Sequence, residues 1–186
     1  MTTIYFVRHA EPDLSIHDDL MRPLTESGLQ ASKLVTKFLF DQEIDRVFSS
    51  PFKRAIDTVK DFAEVKQLPV EVIADFRERK VSDKWIEDFH SFARRQWADF
   101  DYKLPNGDSL NEVQVRNIGA LKKLLRDYPE QKLVIGTHGT SLSTILNYFD
   151  QSYDYHFFNR IKSYMPFIVC LRFDGETLVN VEEFLI

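Results

Sequence analysis

Two histidines and two arginines recur in polar clusters that each follow a short apolar run. Arg8-His9-Ala10-Glu11 follows Ile4-Tyr5-Phe6-Val7. Ser49-Ser50-Pro51-Phe52-Lys53-Arg54 follows Val47-Phe48. Thr137-His138-Gly139 follows Leu133 to Ile135. Together these residue types suit phosphoryl transfer. Arginine grips phosphate through two parallel N–H bonds and keeps its charge at any working pH. A neutral imidazole can attack phosphorus near pH 7. The reaction depends mainly on placement and on stabilising charge over the equatorial oxygens, which guanidinium groups and helix N-termini supply without a metal.

Such a reaction also needs a proton donor for the leaving oxygen. Glu11, Asp75 and Glu78 are the candidates, and Glu78 lies just past a third apolar run, Val70 to Ile73. His17, beside Asp18 and Asp19, is placed to reach the mouth of the same pocket. His90 and His156 lie in aromatic surroundings and read as structural. No HxH or HExxH spacing appears, so the expectation is a site with neither metal nor cofactor.

The elements that must position these groups are legible from periodicity. The apolar runs read as buried strands, and Phe167 to Phe173 with Leu178 to Phe184, split by Asp174-Gly175, reads as a terminal hairpin. Helical spacing appears in Ala31, Leu34, Val35, Phe38 and Leu39 after Thr25 as N-cap. It recurs in Ile56, Val59, Phe62 and Ala63, and in Trp85, Phe89, Phe92 and Ala93. Ser109-Leu110-Asn111-Glu112 predicts a capping box opening a helix that buries Leu110, Val113, Leu121, Leu124 and Leu125 and stops at Pro129. A further helix follows Gly139. Strands alternating with helices predict an α/β three-layer sandwich, with a largely parallel central sheet and helices on both faces. In such sheets ligands bind beyond the carboxyl ends of the strands, where all three clusters fall.

The chain has 186 residues and no repeat or linker, so it is expected to be one domain, 1–186. Residues 80–108, long, aromatic and closed by Pro105-Asn106-Gly107, read as an insertion covering the active-site edge. Trp85, Phe89, Phe92 and Trp97 within it are spaced as one packing stripe. A formal net charge of −5 argues against nucleic-acid or anionic-membrane partners. No apolar run spans a bilayer and no signal peptide is evident. The single cysteine, Cys170, reads as a small buried hydrophobe and suits a cytoplasmic location.

In this order the clusters resemble the histidine phosphatase superfamily, the phosphoglycerate-mutase-like group. Arg8-His9-Ala10-Glu11 resembles its first-strand motif, and Leu24-Thr25-Glu26-Ser27-Gly28 its Leu-Thr-x-x-Gly. Ser49 to Thr58 resembles Ser-Ser-x-x-x-Arg-Ala-x-x-Thr, and Gly136-Thr137-His138-Gly139 the second histidine motif. The resemblance implies that His9 is the phosphorylated nucleophile and that Arg8, Arg54 and His138 bind the phosphoryl oxygens, His138 also taking part in catalysis. It implies Glu78, in Phe76-Arg77-Glu78, as the proton donor, and Glu11 as a neighbour orienting arginine or histidine side chains. Gly107-Asp108-Ser109 with Arg116 is similar to a Gly-Glu-Ser…Arg segment, which makes Ser109 an accessory candidate beside its capping role. Asp83-Lys84-Trp85-Ile86-Glu87 lacks the glycines of the family's Gly-x-Trp-Glu-Gly, so no particular substrate carries over. The compact length favours a phosphatase acting on a small phosphomonoester. The alternatives are a cofactor-dependent phosphoglycerate mutase and a non-catalytic phospho-ligand sensor.

Overall fold

The computed structural model describes residues 1–186. Its centre is a six-stranded sheet in the order β3-β2-β4-β1-β5-β6. The strands are β1 (Thr2–Arg8), β2 (Arg46–Ser49), β3 (Val70–Val72), β4 (Lys132–Thr137), β5 (Phe167–Asp174) and β6 (Thr177–Leu185). β1 to β4 run parallel, and β5 and β6 form the antiparallel terminal hairpin. The helices are α1 (Glu26–Leu39), α2 (Lys53–Lys66), α3 (Phe89–Ala98), α4 (Leu110–Asp127), α5 (Gly139–Phe149) and α6 (Tyr155–Ile161). None is long and apolar enough to cross a membrane.

Strand side chains alternate between faces, so a strand covered on both sides must be apolar at every position. β1 divides in that way. Ile4 and Phe6 join Leu133, Ile135, Leu121, Leu142, Ile145 and Phe157 under α4, α5 and α6. Tyr5 and Val7 join Val134, Val35, Val59 and Phe62 under α1 and α2. Cys170 belongs to the second layer and is 1% exposed. Continuous runs such as Ile4 to Val7 therefore carry the information for a three-layer sandwich.

Helix ends obey their caps. Thr25 accepts from the Gly28 N–H at the start of α1. Ser109 and Glu112 form the expected capping box of α4. α4 ends at Asp127, with Tyr128 turned out of helical backbone (φ −131°, ψ 58°) ahead of Pro129. Two expectations are corrected. Trp85 lies outside α3, because Asp88 takes the Ser91 N–H and starts the helix at Phe89. Trp85 therefore cannot share a helical stripe with Phe89, Phe92 and Trp97. Leu34 is 47% exposed. The buried stripe of α1 runs through Gly28, Ser32, Val35 and Leu39 instead, because the small residues let the helix lie close to its neighbours. α6 was not foreseen; its seven residues, capped by Asp154, are too short to display a period.

Candidate active site

The carboxyl ends of β1, β2 and β4 are stitched together by their backbones. The His9 N–H donates to the Thr137 carbonyl at 3.0 Å and the Ser50 N–H to the Gly136 carbonyl at 2.9 Å. A Cβ on Gly136 would lie 2.8 Å from the Ala55 carbonyl oxygen, so only glycine lets β4 pass this close to α2. Thr58 completes the join, accepting from the Ala10 N–H at 2.9 Å and donating to the Arg54 carbonyl at 2.7 Å. These bonds bring Arg8, His9, Arg54 and His138 to one place, all less than 9% exposed.

His9 is held in a single tautomer. Its Nδ1 lies 2.8 Å from the Ala10 carbonyl, which can only accept, so Nδ1 carries the hydrogen and Nε2 keeps its lone pair. The Arg54 Nε approaches that Nε2 at 3.4 Å. Burial first, then Arg54, Arg8 and Arg22, hold the imidazole well below its ordinary pKa of 6.5. His9 is thus neutral at pH 7, with a lone pair on Nε2.

The His138 ring lies 5.3 Å from that of His9. Its Nε2 is 2.6 Å from the Ser50 Oγ, which also accepts from the Phe52 N–H. Its Nδ1 is buried and without a partner. Burial, then Arg54, His9, Arg8 and Arg116, keep this ring neutral as well.

Arg8 is fixed from the far side of the molecule. Its Nη1 donates to the carbonyl of Ile161, the last residue of α6, and to that of Tyr164 in the turn beyond it, the latter at 2.7 Å. Its Nε is buried and unpartnered. A Cβ on Gly139 would lie 3.2 Å from that Nε, so glycine opens the first turn of α5 to the guanidinium. Burial pulls Arg8 down to about 10, with Glu78 opposing the fall and Arg54 adding to it. Arg54 donates to the Asp19 carbonyl at 2.6 Å and pairs with the Asp19 carboxylate at 3.1 Å.

Glu78 reaches the same pocket from the loop after β3. Its Oε1 accepts from the N–H groups of Arg79 and Ser141 at 2.8 and 3.2 Å and from the Ser141 hydroxyl at 3.4 Å. Its Oε2 accepts only from the Thr140 N–H, at 3.0 Å, and keeps a second lone pair. The carboxylate therefore sits on the N-terminus of α5, where helix charge favours it. Arg116 braces this segment from behind, donating to the carbonyls of Arg77 and Glu78 and to Asp108.

The remaining candidates are placed differently. Glu11 is exposed, and its carboxylate accepts from the Thr25 hydroxyl at 2.9 Å, so it anchors the cap of α1 rather than orienting arginine or histidine. Ser109 is buried in the α4 capping box, its Oγ accepting from the Glu112 N–H and its own N–H donating to the Glu112 carboxylate. His17 stacks on Trp85, with ring centroids 4.6 Å apart. Asp75 is exposed and pairs with Arg77. His90 and His156 are exposed, and His90 meets the Tyr155 hydroxyl at 3.2 Å.

Sequence reasoning missed Arg22. It is 8% exposed, donates to the Ile16 carbonyl at 2.7 Å and to Asp19 at 2.8 Å, and lends charge to His9 and Arg54. Its only signal was an arginine beside the Leu24-Thr25 motif. Arg79, 4% exposed behind Glu78, was missed too. No three His, Cys, Asp or Glu side chains are grouped to share a metal ion.

A buried, neutral imidazole ringed by guanidinium groups and a helix N-terminus defines a phosphoryl-handling site, and residues 4–183 match the family model of the histidine phosphatase superfamily (branch 1). The chain belongs to that superfamily. It is 29% identical over 150 residues to the phosphatase PhoE of Bacillus subtilis, covering 78% of this chain and 76% of that one. It is 30% identical over 157 residues to phosphoserine phosphatase 1 of Hydrogenobacter thermophilus, covering 74% and 71%. Among solved structures, YhfR of Bacillus stearothermophilus superposes with a TM-score of 0.78 at 21% identity, covering 96% of this chain and 95% of that one.

Proposed function

We propose that this chain hydrolyses small phosphomonoesters in two steps through a phosphohistidine on His9. The observation that carries the reading is the lone pair on His9 Nε2, set by the Ala10 carbonyl at Nδ1 and met at 3.4 Å by the Arg54 Nε, among three buried guanidinium groups. In the first step Nε2 attacks phosphorus and the bond from phosphorus to the leaving oxygen breaks. Glu78 enters this step as the acid and hands the proton on Oε2 to that oxygen, leaving a carboxylate that the second step reprotonates. In the second step a water loses its proton to Glu78 and attacks phosphorus. The N–P bond breaks and inorganic phosphate departs. Arg8 and Arg54 hold the equatorial oxygens, where their preorganised charge counts most, and the unpartnered Nδ1 of His138 donates to one of them in the tautomer that takes its Nε2 hydrogen bond from Ser50. Arg22 and Asp19 keep Arg54 in place.

The relatives support this reading, since those named as phosphatases include one that acts on phosphoserine. We take the chain as one domain, with residues 80–108 shaping the mouth of the site, and place it in the cytoplasm. The test is to quench the enzyme during turnover of a ³²P-labelled phosphomonoester. An acid-labile, base-stable adduct on His9 is expected. An adduct on another side chain, or steady turnover with no labelled enzyme, sinks the proposal.

A further inference from the structure

Glu78 forms no ion pair. Its oxygens take bonds from the N–H groups of Arg79, Thr140 and Ser141 and from the Ser141 hydroxyl, and from no charged side chain. Yet the next residue is a buried cation that has no carboxylate of its own. Arg79 is 4% exposed, and its Nε is buried without a partner. Glu78 comes first among the charges acting on it, ahead of Asp108 and Asp19. Those other two acids are engaged, Asp108 with the Lys80 N–H and Arg116, Asp19 with Arg22 and Arg54. A guanidinium out of water gains more from a carboxylate than from a neutral acceptor. The Glu78 carboxylate already takes the Arg79 backbone N–H at 2.8 Å, so it lies within reach of a side chain that turned back.

The insertion holds that side chain away. Gln96, on α3 and 0% exposed, accepts from the Arg79 Nη1 through Oε1 at 2.8 Å. Its own amide cannot turn aside, because Nε2 donates to the carbonyls of Tyr102 and Asp108, each at 2.9 Å. Two rings of the same helix take the guanidinium between them. The Arg79 Cζ lies 5.2 Å from the centroid of Phe89 and 5.3 Å from that of Phe92, within the range of cation–π attraction. A neutral amide and two aromatic faces thus stand where an acid would be expected. They satisfy the cation in part and leave the neighbouring carboxyl unpaired.

We propose that Gln96 is a positioning residue for the proton donor: with Phe89 and Phe92 it restrains Arg79 from pairing with Glu78, so that Oε2 stays free to take and give a proton. This rests on the reading of Glu78 as acid and base. An arginine partner favours the ionised carboxyl so strongly that its protonated fraction falls about ten- to a thousandfold. A released Arg79 would therefore disable the step that protonates the leaving oxygen and spare the phosphate cradle. Residues 80–108 then act on the chemistry through this restraint as well as through the shape of the mouth.

The test uses Gln96→Leu, with glycerol 3-phosphate and 4-nitrophenyl phosphate as substrates, at a temperature well below the melting point of each variant. The kcat/KM for glycerol 3-phosphate should fall about tenfold or more, while that for 4-nitrophenyl phosphate, whose leaving group needs no proton, stays within about threefold. Adding Arg79→Met to Gln96→Leu removes the cation that was let loose, and should restore most of the lost glycerol 3-phosphate activity. A side chain with a merely structural role would give no such rescue. Should Gln96→Leu fail to fold, Gln96→Asn, which withdraws the acceptor by one methylene and stays polar, is measured by the same criteria. A parallel decline on both substrates, unchanged glycerol 3-phosphate activity, or a loss that Arg79→Met does not reverse overturns the restraint. Glu78→Gln assayed alongside keeps the two readings apart. If it lowers both substrates equally, the donor assignment itself has failed; if it spares only 4-nitrophenyl phosphate and Gln96→Leu does not, the restraint alone has failed.

Discussion

Replacing Glu78 with glutamine separates its two jobs. The shape is kept, and the amide oxygen can still take the bonds that Oε1 receives from Arg79 and Ser141. The amide nitrogen then faces the Thr140 N–H, donor against donor, where Oε2 had accepted at 3.0 Å. Losing one hydrogen bond to a charged group, and the negative charge at the start of α5, should cost about 2 kcal/mol. For a chain of this size that lowers the melting temperature by roughly 4–8 °C. Catalysis should respond according to the leaving group. Glutamine has no proton to give, so kcat/KM for an alkyl phosphate should fall about 10²- to 10⁴-fold. With 4-nitrophenyl phosphate, whose leaving group departs without protonation, the fall should stay within about tenfold. Because kcat/KM stops at the first irreversible step, a slower dephosphorylation does not blur the comparison. The assay is steady-state kinetics on both substrates, run well below the melting temperature. A parallel decline on the two would refute the proton-donor role and leave Glu78 as a strut for α5.

Further outcomes follow from the same geometry. His9 and His138 are both held well below 6.5, so the unfolded chain binds more protons than the folded one under acid. Stability should be full above about pH 6.5 and fall below it, by at most about 2.7 kcal/mol per pH unit for two groups, until the depressed folded-state values are reached. Urea denaturation from pH 8 to 4 measures this, and a flat profile would contradict the neutral burial of both rings. Gly136→Ala drives a Cβ to 2.8 Å from the Ala55 carbonyl and should destabilise by about 1–3 kcal/mol in thermal melts, whereas a neutral result would mean that β4 and α2 separate freely. Gly139→Ala meets the Arg8 Nε at 3.2 Å; displaced Arg8 should lower kcat/KM by about tenfold with little change in melting, and unchanged kinetics would detach Arg8 from phosphate binding. EDTA should leave activity intact, and its loss would bring a metal into the reaction.

The sandwich was legible because buried strands cannot hide: Ile4 to Val7 is apolar at each position since both faces are covered. The three loops of the site were legible for a related reason, as polar clusters wedged between an apolar run and a helix start can only sit at strand ends. Individual roles were less visible. Glu11 and Ser109 belong to motifs near the site, yet each is consumed by a helix cap, and capping residues draw on the same short polar alphabet as binding residues. Arg22 and Arg79 carry no periodic or spacing signal, because their function comes from the fold of loops. Trp85 obeyed a helical spacing that Asp88 cut short, and its actual partner is His17, remote along the chain.

The grip on Arg8 by Ile161 and Tyr164 uses main-chain oxygens alone. Any amino acid provides such an oxygen, so the anchorage itself places no demand on side-chain identity; Ile161 is held by the core it packs in, whereas the exposed Tyr164 is open to change. Searches keyed to residue identity will pass over this anchorage in every homologue that has it. A shortened protein ending before α6 would retain His9, Arg54, Glu78 and His138 and still lack the clamp that steadies Arg8.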